Sequence, residues 1–313
     1  MSKTNSVAIL IATRNRPVAV RRLLDSVLTS SIQPQQVIIV SSGQNIGSVI
    51  SEFAESLPIV HNHTESIGQI TQKRIGVKMI AQKMNWCVFL DDDLVLDKNA
   101  LKIAIDTASA YPRTNVIGIG LGTPVTSRGT NLPVHLEILA RLFQLSSNKL
   151  GKVLRSGHAS SYLQSKCVIE TQWLNGASIW RTEYVRNYGM DLPSTPYAAC
   201  EDLIFSYPLS KNGTLIYVPE ARVNFQETEL SNVDSFRVIE AASLWRFYFV
   251  SKYKELSLNY FFLSQIIRTI YAVVNSGEPR LSMFGKLIKL NWKMFKCKFT
   301  GRSPEVLLSE LML

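Results

Sequence analysis

The sequence predicts an α/β fold, with a mostly parallel sheet flanked by helices and followed by a helical C-terminal extension. Strand and helix signals alternate through the first half of the chain, which is the pattern of parallel strands joined by crossover helices. Polar loops follow several predicted strands, and the sequence beyond about Leu230 has a helical pattern. Because ligands bind at the carboxyl ends of strands in such sheets, these loops are the first candidate sites.

Apolar runs and turn residues define the elements of the first half. The first strand leads into a helix with Asn15 as its predicted N-cap and Pro17 in its first turn. A helix over about residues 67–83 precedes the fourth strand, and Asp97 is the predicted cap of a helix that begins near Asn99. The predicted strands cover residues 7–12, 36–40, 59–61 and 86–90.

The second half is less regular until the C-terminal helices. Residues 122–172 are rich in Gly, Ser and Asn, and a loop-like stretch of this length in a compact domain is usually functional or mobile. Within it, His158 is a lone loop histidine, which by itself predicts no site. The predicted organisation is an α/β domain over residues 1–228, with halves of about 1–121 and 122–228, and a helical region over 229–313.

Composition limits the partners and the compartment. The chain of 313 residues has 34 Lys and Arg against 24 Asp and Glu, so an anionic partner is favoured. The basic residues are not interleaved with aromatic residues in a recognisable module, and we expect no nucleic-acid binding. Four cysteines without paired spacing indicate reduced thiols and a cytoplasmic location. Neither a signal peptide nor a membrane-spanning segment is predicted.

The most informative feature is the run Asp91, Asp92 and Asp93, which directly follows the apolar residues 86–90. The apolar run predicts a buried strand that delivers three carboxylates to a loop. Adjacent carboxylates repel one another, and a divalent cation, or a substrate carrying one, would neutralise them. The alternative is a solvated turn between a strand and a helix.

Several motifs resemble those of family 2 glycosyltransferases, and they occur in the same order. The resemblance covers about residues 6–226 and implies a GT-A fold, which is a Rossmann-type α/β fold with a donor half and an acceptor half. Each motif is short, and the force of the resemblance lies in their order and spacing. The motifs are Ile-Ala-Thr-Arg-Asn-Arg at 11–16, the Ser-Ser-Gly turn at 41–43, Gly68 with Lys73, Arg74 and Gly76, the aspartates after Phe89 and Leu90, Trp-Leu-Asn-Gly at 173–176, and Glu201 with Asp202.

The resemblance implies a nucleotide-sugar donor, a Mg or Mn ion, and an acceptor hydroxyl on a glycan or a lipid-linked molecule. It places the metal on Asp93 with help from Asp91, and the catalytic base at Asp202. Acceptor binding falls to Glu201, Trp173, Asn175 and Gly176. Donor binding falls to Ala12, Thr13, Arg14, Arg16, Ser41, Ser42, Gly68, Arg74, Asp91 and Asp92.

This assignment agrees with the chemistry of sugar transfer. The departing nucleoside diphosphate gains negative charge, which a divalent ion and nearby cations stabilise. A carboxylate takes the proton of the attacking hydroxyl, and a single displacement inverts the anomeric carbon. Acids in a first helical turn also favour the helix dipole, so only the order of the family motifs selects Asp202 as the base. The expected role is cell-surface polysaccharide or glycoconjugate synthesis.

The chain departs from the family pattern at two places. Ser41 and Ser42 stand where relatives carry an acidic turn that contacts the nucleotide base, so the base is not predicted. Phe225 stands where many relatives have a metal-binding histidine. Metal ligation would then fall on the aspartates, the diphosphate and water, or include Gln226 or Glu227, and weaker metal dependence is expected.

Two other functions fit parts of the sequence. Asp91 and Asp93 after an apolar strand also match the nucleophile motif of haloacid-dehalogenase-type phosphatases, although two strands precede them here. The two departures are also compatible with a relative that binds a sugar nucleotide or a membrane partner without turnover.

The last predicted helix is basic and amphipathic. Within residues 281–302, Lys286, Lys289, Lys293 and Lys296 fall on one stripe at about 100° per residue, and no acid interrupts the segment. Such a helix can lie on the anionic cytoplasmic face of a membrane as a peripheral anchor. The equally weighted alternative is a helix packed on the α/β domain with its lysines in water.

Overall fold

The computed structural model describes residues 6–66, 68–113, 115–124, 134–188, 190, 192–226, 235–275 and 279–312. Its strands are β1 (Val7–Arg14), β2 (Gln36–Ser42), β3 (Ile59–His63), β4 (Trp86–Asp91), β5 (Leu94–Leu96), β6 (Val116–Gly122), β7 (Ile169–Thr171), β8 (Ser178–Arg181) and β9 (Thr214–Phe225). Its helices are α1 (Pro17–Leu28), α2 (Gly47–Phe53), α3 (Gln69–Met79), α4 (Ala100–Ala110), α5 (Val134–Leu142), α6 (Thr182–Tyr188), α7 (Glu201–Leu209), α8 (Ser235–Lys252), α9 (Leu258–Asn275), α10 (Arg280–Thr300) and α11 (Pro304–Met312).

The described strands form one mixed sheet in the order β3-β2-β1-β4-β8-β6-β9-β5, with β7 also paired to β9. Strands β1, β2, β3, β4, β6 and β9 share one direction, so the sheet is mostly parallel, and β8 is inserted antiparallel between β4 and β6. Strand β3 lies at one edge. The predicted α/β class, the mostly parallel sheet and the helical C-terminal extension are confirmed.

The apolar runs form elements because they can be buried. Strands β1, β2 and β4 are covered on both faces, and their side chains are almost entirely inaccessible. Helix α1 presents Val20, Leu23, Leu24 and Val27 to this core, because these residues share one face of the helix.

Two predicted helix caps are wrong, because each side chain finds a partner outside its own helix. Arg16, not Asn15, is the N-cap of α1, while Asn15 has a φ of 57° and its Oδ1 accepts a bond from the Gln44 amide at 2.7 Å. Asn99 is the N-cap of α4, and Asp97 Oδ1 accepts a bond from Asn224 Nδ2 at 2.9 Å.

The chain forms two compact units, each assembled from three stretches. The first unit contains the sheet, and the second contains the C-terminal helices together with residues 129–161 and 193–204. The predicted boundary at residue 228 stays a prediction. In the second unit, Trp245, Phe247, Phe249 and Phe261 form a buried aromatic core. None of the described helices is long and apolar enough to cross a bilayer.

Candidate functional site

The strand register brings the predicted donor residues to one edge of the sheet. Ala12 of β1 pairs with Asp91 of β4, and Thr13 pairs with Ser41 of β2. Because β1, β2 and β4 are parallel, their polar ends lie side by side. The sheet therefore places the first loop, the serine turn and the aspartates together at the strand ends where the sequence analysis expected a ligand.

Asp92 is held by the first loop. Thr13 Oγ1 donates to Asp92 Oδ2 at 2.7 Å, and Arg16 Nη1 donates to Asp92 Oδ1 at 2.8 Å. Burial raises the pKa of Asp92, and the bonds from Thr13 and Arg16 act in the opposite direction. With both carboxylate oxygens engaged and only 6% of the residue exposed, Asp92 fixes the loop to the end of β4.

The outer two aspartates are more open. The side chains of Asp91 and Asp93 are 37% and 31% exposed, against 9% for Asp92. Burial, followed by repulsion from Asp91 and Asp92, raises the pKa of Asp93, and Arg16 Nη1 lies 3.7 Å from its Oδ2. An added cation would relieve this repulsion. The alternation of open, bound and open carboxylates leaves Asp91 and Asp93 for a ligand.

Helix α3 supplies further side chains, of which sequence analysis named only Lys73, without a role. Gln69 Nε2 donates to Asp91 Oδ1 at 2.8 Å, and the buried Lys73 Nζ lies 3.7 Å from the same oxygen. Gln72 Nε2 donates to the carbonyls of Thr13 and Val40. Polar residues at positions i, i+3 and i+4 on a helix that packs against β1 and β2 were the available signal, because such a face is normally apolar.

The serine turn contacts two histidines that were also missed. Ser41 Oγ lies 2.8 Å from His61 Nε2 and 3.0 Å from His63 Nδ1, both on β3. Burial, followed by His63, lowers the pKa of His61. Ser42 is buried beside Gln72 Nε2 at 3.4 Å.

The other predicted donor residues have different surroundings. Arg14 is exposed and Ala12 is half-buried at the end of β1. Gly68 precedes α3 with a φ of 117°, a conformation that side chains other than glycine rarely adopt. The Arg74 guanidinium donates to the carbonyls of Met190 and Leu192, so its contact with a nucleotide stays a prediction.

The Trp-Leu-Asn-Gly segment lies against the aspartates. A Cβ on Gly176 would come within 2.2 Å of Asp91 Oδ2, so only glycine lets the backbone approach this carboxylate. The Asn175 backbone N–H donates to Tyr162 Oη at 2.8 Å, while Asn175 Oδ1 is buried without a hydrogen bond in the described structure. The ring of Trp173 lies 4.8 Å from that of Tyr162. A buried carbonyl oxygen without a partner can accept a hydrogen bond from a hydroxyl-bearing ligand.

Glu201 and Asp202 begin α7, where Glu201 is buried and Asp202 is half-buried. They follow Cys200, which has a φ of 62°. Asp202 is therefore less buried than Glu201, while its role as a base stays a prediction.

The residues fit a metal only in part. No group of three or more His, Cys, Asp or Glu side chains with metal-binding geometry occurs in the described residues. Strand pairing places Phe225 opposite Leu94, one residue after Asp93, and Gln226 Nε2 donates to the Ala19 and Leu94 carbonyls. Glu227 lies outside the described residues. Asp91 and Asp93 could hold a divalent ion if a bound ligand supplied further oxygens.

A family model for glycosyl transferase family 2 matches residues 8–168, just over half of the chain. The chain belongs to this family. The match includes the first loop, the serine turn and the aspartates of this family 2 glycosyltransferase, and it supports the transferase prediction over the phosphatase alternative. A comparison with curated proteins gave no significant match.

Solved structures share the GT-A fold with this family 2 glycosyltransferase. TarS 1-349 of S. aureus, in complex with UDP-GlcNAc, has a TM-score of 0.58 and 12% identity, covering 91% of this chain and 81% of that one. Mannosyltransferase PcManGT of Pyrobaculum calidifontis, in complex with GDP-Man and Mn²⁺, has a TM-score of 0.54 and 13% identity, covering 99% and 87%. At these identities the likeness shows the fold alone.

Proposed function

We propose that this family 2 glycosyltransferase moves a sugar from a nucleoside-diphosphate sugar to a hydroxyl group of a glycan or lipid-linked acceptor, in cell-surface polysaccharide or glycoconjugate synthesis. The observation that carries the proposal is the pair of open carboxylates, Asp91 and Asp93, on either side of the bound Asp92 at the sheet edge. The first loop, the serine turn, Gly68 and Arg74 would surround the nucleotide.

The donor's diphosphate would be held partly through a Mg or Mn ion on Asp93 and Asp91. Such an ion supplies electrostatic stabilisation of the departing diphosphate. Arg16 lies 3.7 Å from Asp93 and would place a fixed positive charge beside the same group. With Phe225 in the position of a metal-binding histidine, the metal would gain fewer protein ligands, and we expect weak metal affinity without the donor.

Asp202 would act as the base of an inverting displacement. As the acceptor oxygen bonds to the anomeric carbon, its proton passes to the Asp202 carboxylate, and the bond to the nucleoside diphosphate breaks with its electrons. Glu201, Trp173, Asn175 and Gly176 would bind and orient the acceptor. The buried, unpartnered Asn175 Oδ1 supports a hydroxyl-bearing ligand at this place.

The function is tested with a panel of nucleotide sugars and Mn²⁺ or Mg²⁺, by following thermal stabilisation and nucleoside diphosphate release. At least one donor should raise the melting temperature and be turned over. Asp202→Asn should abolish transfer and keep donor binding, and Asp25→Asn, a change of an exposed aspartate on α1, should alter neither. Donor binding without turnover of any acceptor would favour the non-catalytic alternative, and binding of no donor would reject both.

The C-terminal helices support a peripheral location on the cytoplasmic face of a membrane. Helix α10 buries Met283, Leu287 and Met294, and a second, exposed face carries aromatic and aliphatic side chains. Trp292 and Phe299 are 63% and 66% exposed. With α9, this face forms an open groove of about 680 Å³ lined by Phe262, Ile266, Ile270, Phe284, Ile288, Trp292 and Phe295.

The charges around this groove indicate which partner would contact it. At about 100° per residue, the stripe Lys286, Lys289, Lys293 and Lys296 lies between the exposed apolar face and the buried face of α10 and borders the apolar face on one side. No acidic residue occurs within α9 or α10. An apolar face bordered by cations matches an anionic bilayer, where each lysine contributes about 1 kcal/mol near the surface.

Liposome co-sedimentation tests this location. Vesicles containing phosphatidylglycerol should bind the chain, pure phosphatidylcholine should bind it weakly, and replacing the four stripe lysines with Gln should remove most of the binding. The matched control replaces four exposed lysines elsewhere, Lys78, Lys83, Lys98 and Lys149, with Gln. An equal loss of vesicle binding in both variants would overturn a specific docking face. A stable dimer that buries Trp292 and does not bind vesicles would also overturn it.

A further inference from the structure

Two arginines and a histidine meet inside the second unit, at a place to which no function has been assigned. They are His158 in the loop after α5, Arg246 on α8 and Arg268 on α9. Arg246 connects α8 to the loop of His158 and to the residue before α7. Its Nε donates to the Gly157 carbonyl at 3.2 Å, and its Nη2 lies 3.3 Å from Cys200 Sγ. Gly157 packs so closely that a Cβ there would lie 3.2 Å from Arg246 Cγ.

The three side chains are half-buried, and no described carboxylate is paired with them. His158 Nε2 and Arg268 Nη1 are inaccessible and have no hydrogen-bond partner in the described structure. Burial, followed by Arg246 and Arg268, lowers the pKa of His158 well below its usual value, and burial, followed by Arg246, lowers that of Arg268 to about 9. Within the described part of the chain, no ion pair joins any of the three to an acid.

Such an arrangement is costly without a ligand. A buried guanidinium without a counter-ion loses its hydration, and a second cation nearby adds repulsion. Water can satisfy an N–H group but cannot neutralise the charge. Arginine presents several N–H groups in a planar fork that matches the oxygens of a phosphate, so a bound phosphate would satisfy the orphan donors and remove the repulsion together.

We propose that His158, Arg246 and Arg268 form an anion site that binds a phosphate group of a substrate. The position supports a substrate, because Arg246 contacts Cys200, the residue that precedes Glu201 and Asp202. A phosphate held by Arg246 would lie close to the start of α7 and its predicted base. The assignment to a substrate rests on the proposed function, whereas the anion site itself does not.

Two phosphate sources fit this chemistry: the diphosphate of the donor and the phosphate of a lipid-linked acceptor. The experiment measures binding of inorganic pyrophosphate, UDP, GDP and a short-chain prenyl phosphate by calorimetry and thermal shift, at ionic strength matched with sodium chloride. The variant is Arg268→Met, which keeps an unbranched side chain of moderate length and removes the charge. Arg22→Met, at an exposed arginine of α1, is the control.

For the wild-type chain we expect pyrophosphate to raise the melting temperature above that in chloride. Arg268→Met should unfold at the same or a higher temperature without ligand, because a buried unpaired charge is removed, and should bind phosphate about 10- to 100-fold more weakly. If Arg268→Met also binds UDP or GDP more weakly, the bound phosphate belongs to the donor. If it loses affinity only for pyrophosphate and prenyl phosphate, the bound phosphate belongs to the acceptor.

The absence of a phosphate effect in the wild-type chain would overturn the site, as would unchanged binding by Arg268→Met. If Arg268→Met fails to fold, Arg246→Lys takes its place in the experiment. This change keeps the charge and loses the planar fork, so it should weaken pyrophosphate binding, and unchanged binding would overturn the site. Failure of the proposed function gives a different result, because phosphate would then bind without turnover of any donor.

Discussion

Gly176 sets how closely the backbone can approach the Asp91 carboxylate. Because an alanine Cβ would lie 2.2 Å from Asp91 Oδ2, we expect Gly176→Ala to displace this carboxylate and weaken donor binding at least about tenfold. Gly285→Ala is the control, since nothing lies within 4 Å of that position on α10. Calorimetric titration with the donor measures the effect, and unchanged affinity in Gly176→Ala would contradict it.

We expect Asp93 to lower the stability of the ligand-free protein and to contribute to metal-dependent donor binding. Its pKa is raised by burial and by its two aspartate neighbours, so the folded state loses stability when this group ionises. Without metal or donor, Asp93→Asn should therefore leave the melting temperature unchanged or raise it by about 1–3 °C. The same variant should lose metal-dependent donor binding. Scanning calorimetry with and without Mn²⁺ measures both, and a large fall in melting temperature would refute this expectation.

Sequence analysis found the acidic residues of the site but not their partners. Asp91, Asp92 and Asp93 stood out because three acids follow an apolar run. Gln69 and Gln72 did not, since nothing local distinguishes a polar residue aimed at the site from one in water, and Lys73 was named only as part of a motif. Asn15 and Asp97 failed as caps for a related reason: their partners, Gln44 and Asn224, are distant in sequence.

At the scale of elements, Arg74 connects α3 to the backbone carbonyls of Met190 and Leu192. One guanidinium makes three hydrogen bonds to two carbonyls, a pattern that the single ammonium of lysine cannot reproduce. Arg74→Lys should lower the free energy of unfolding by about 1–3 kcal/mol, measured by urea denaturation. Arg22→Lys is the control. Weaker donor binding at unchanged stability would instead support the predicted nucleotide contact.

Strands could be predicted where their buried residues form a continuous apolar run in the sequence. The pairing of the strands in the sheet could not be predicted. The runs that became β1, β2, β3 and β4 were visible as apolar stretches, with ends within a few residues of those observed. The insertion of β8 antiparallel between β4 and β6 left no local signal, because it depends on contacts between distant segments. The irregular stretch 122–172 contains α5 and β7, and its residues 125–133 lie outside the described structure.

At the scale of the whole molecule, the four cysteines are unpaired and differ in access. Cys167 is exposed, Cys200 is intermediate, and Cys87 and Cys297 are buried. Burial raises the pKa of the Cys87 and Cys297 thiols, which lowers their thiolate fraction further. Under native conditions a thiol reagent such as DTNB should modify Cys167 first, and Cys167→Ser should remove the fast phase. Rapid modification of Cys87, located by mass spectrometry, would contradict the buried position of β4.

The edge strand β3 affects how the protein behaves at high concentration. An edge strand exposes backbone N–H and C=O groups that can recruit a strand from another molecule. Strand β3 has only five residues, and three of them are His61, Asn62 and His63. A second copy added at this edge would cover polar side chains and gain little apolar contact. This edge therefore resists the strand-to-strand association that leads to aggregates.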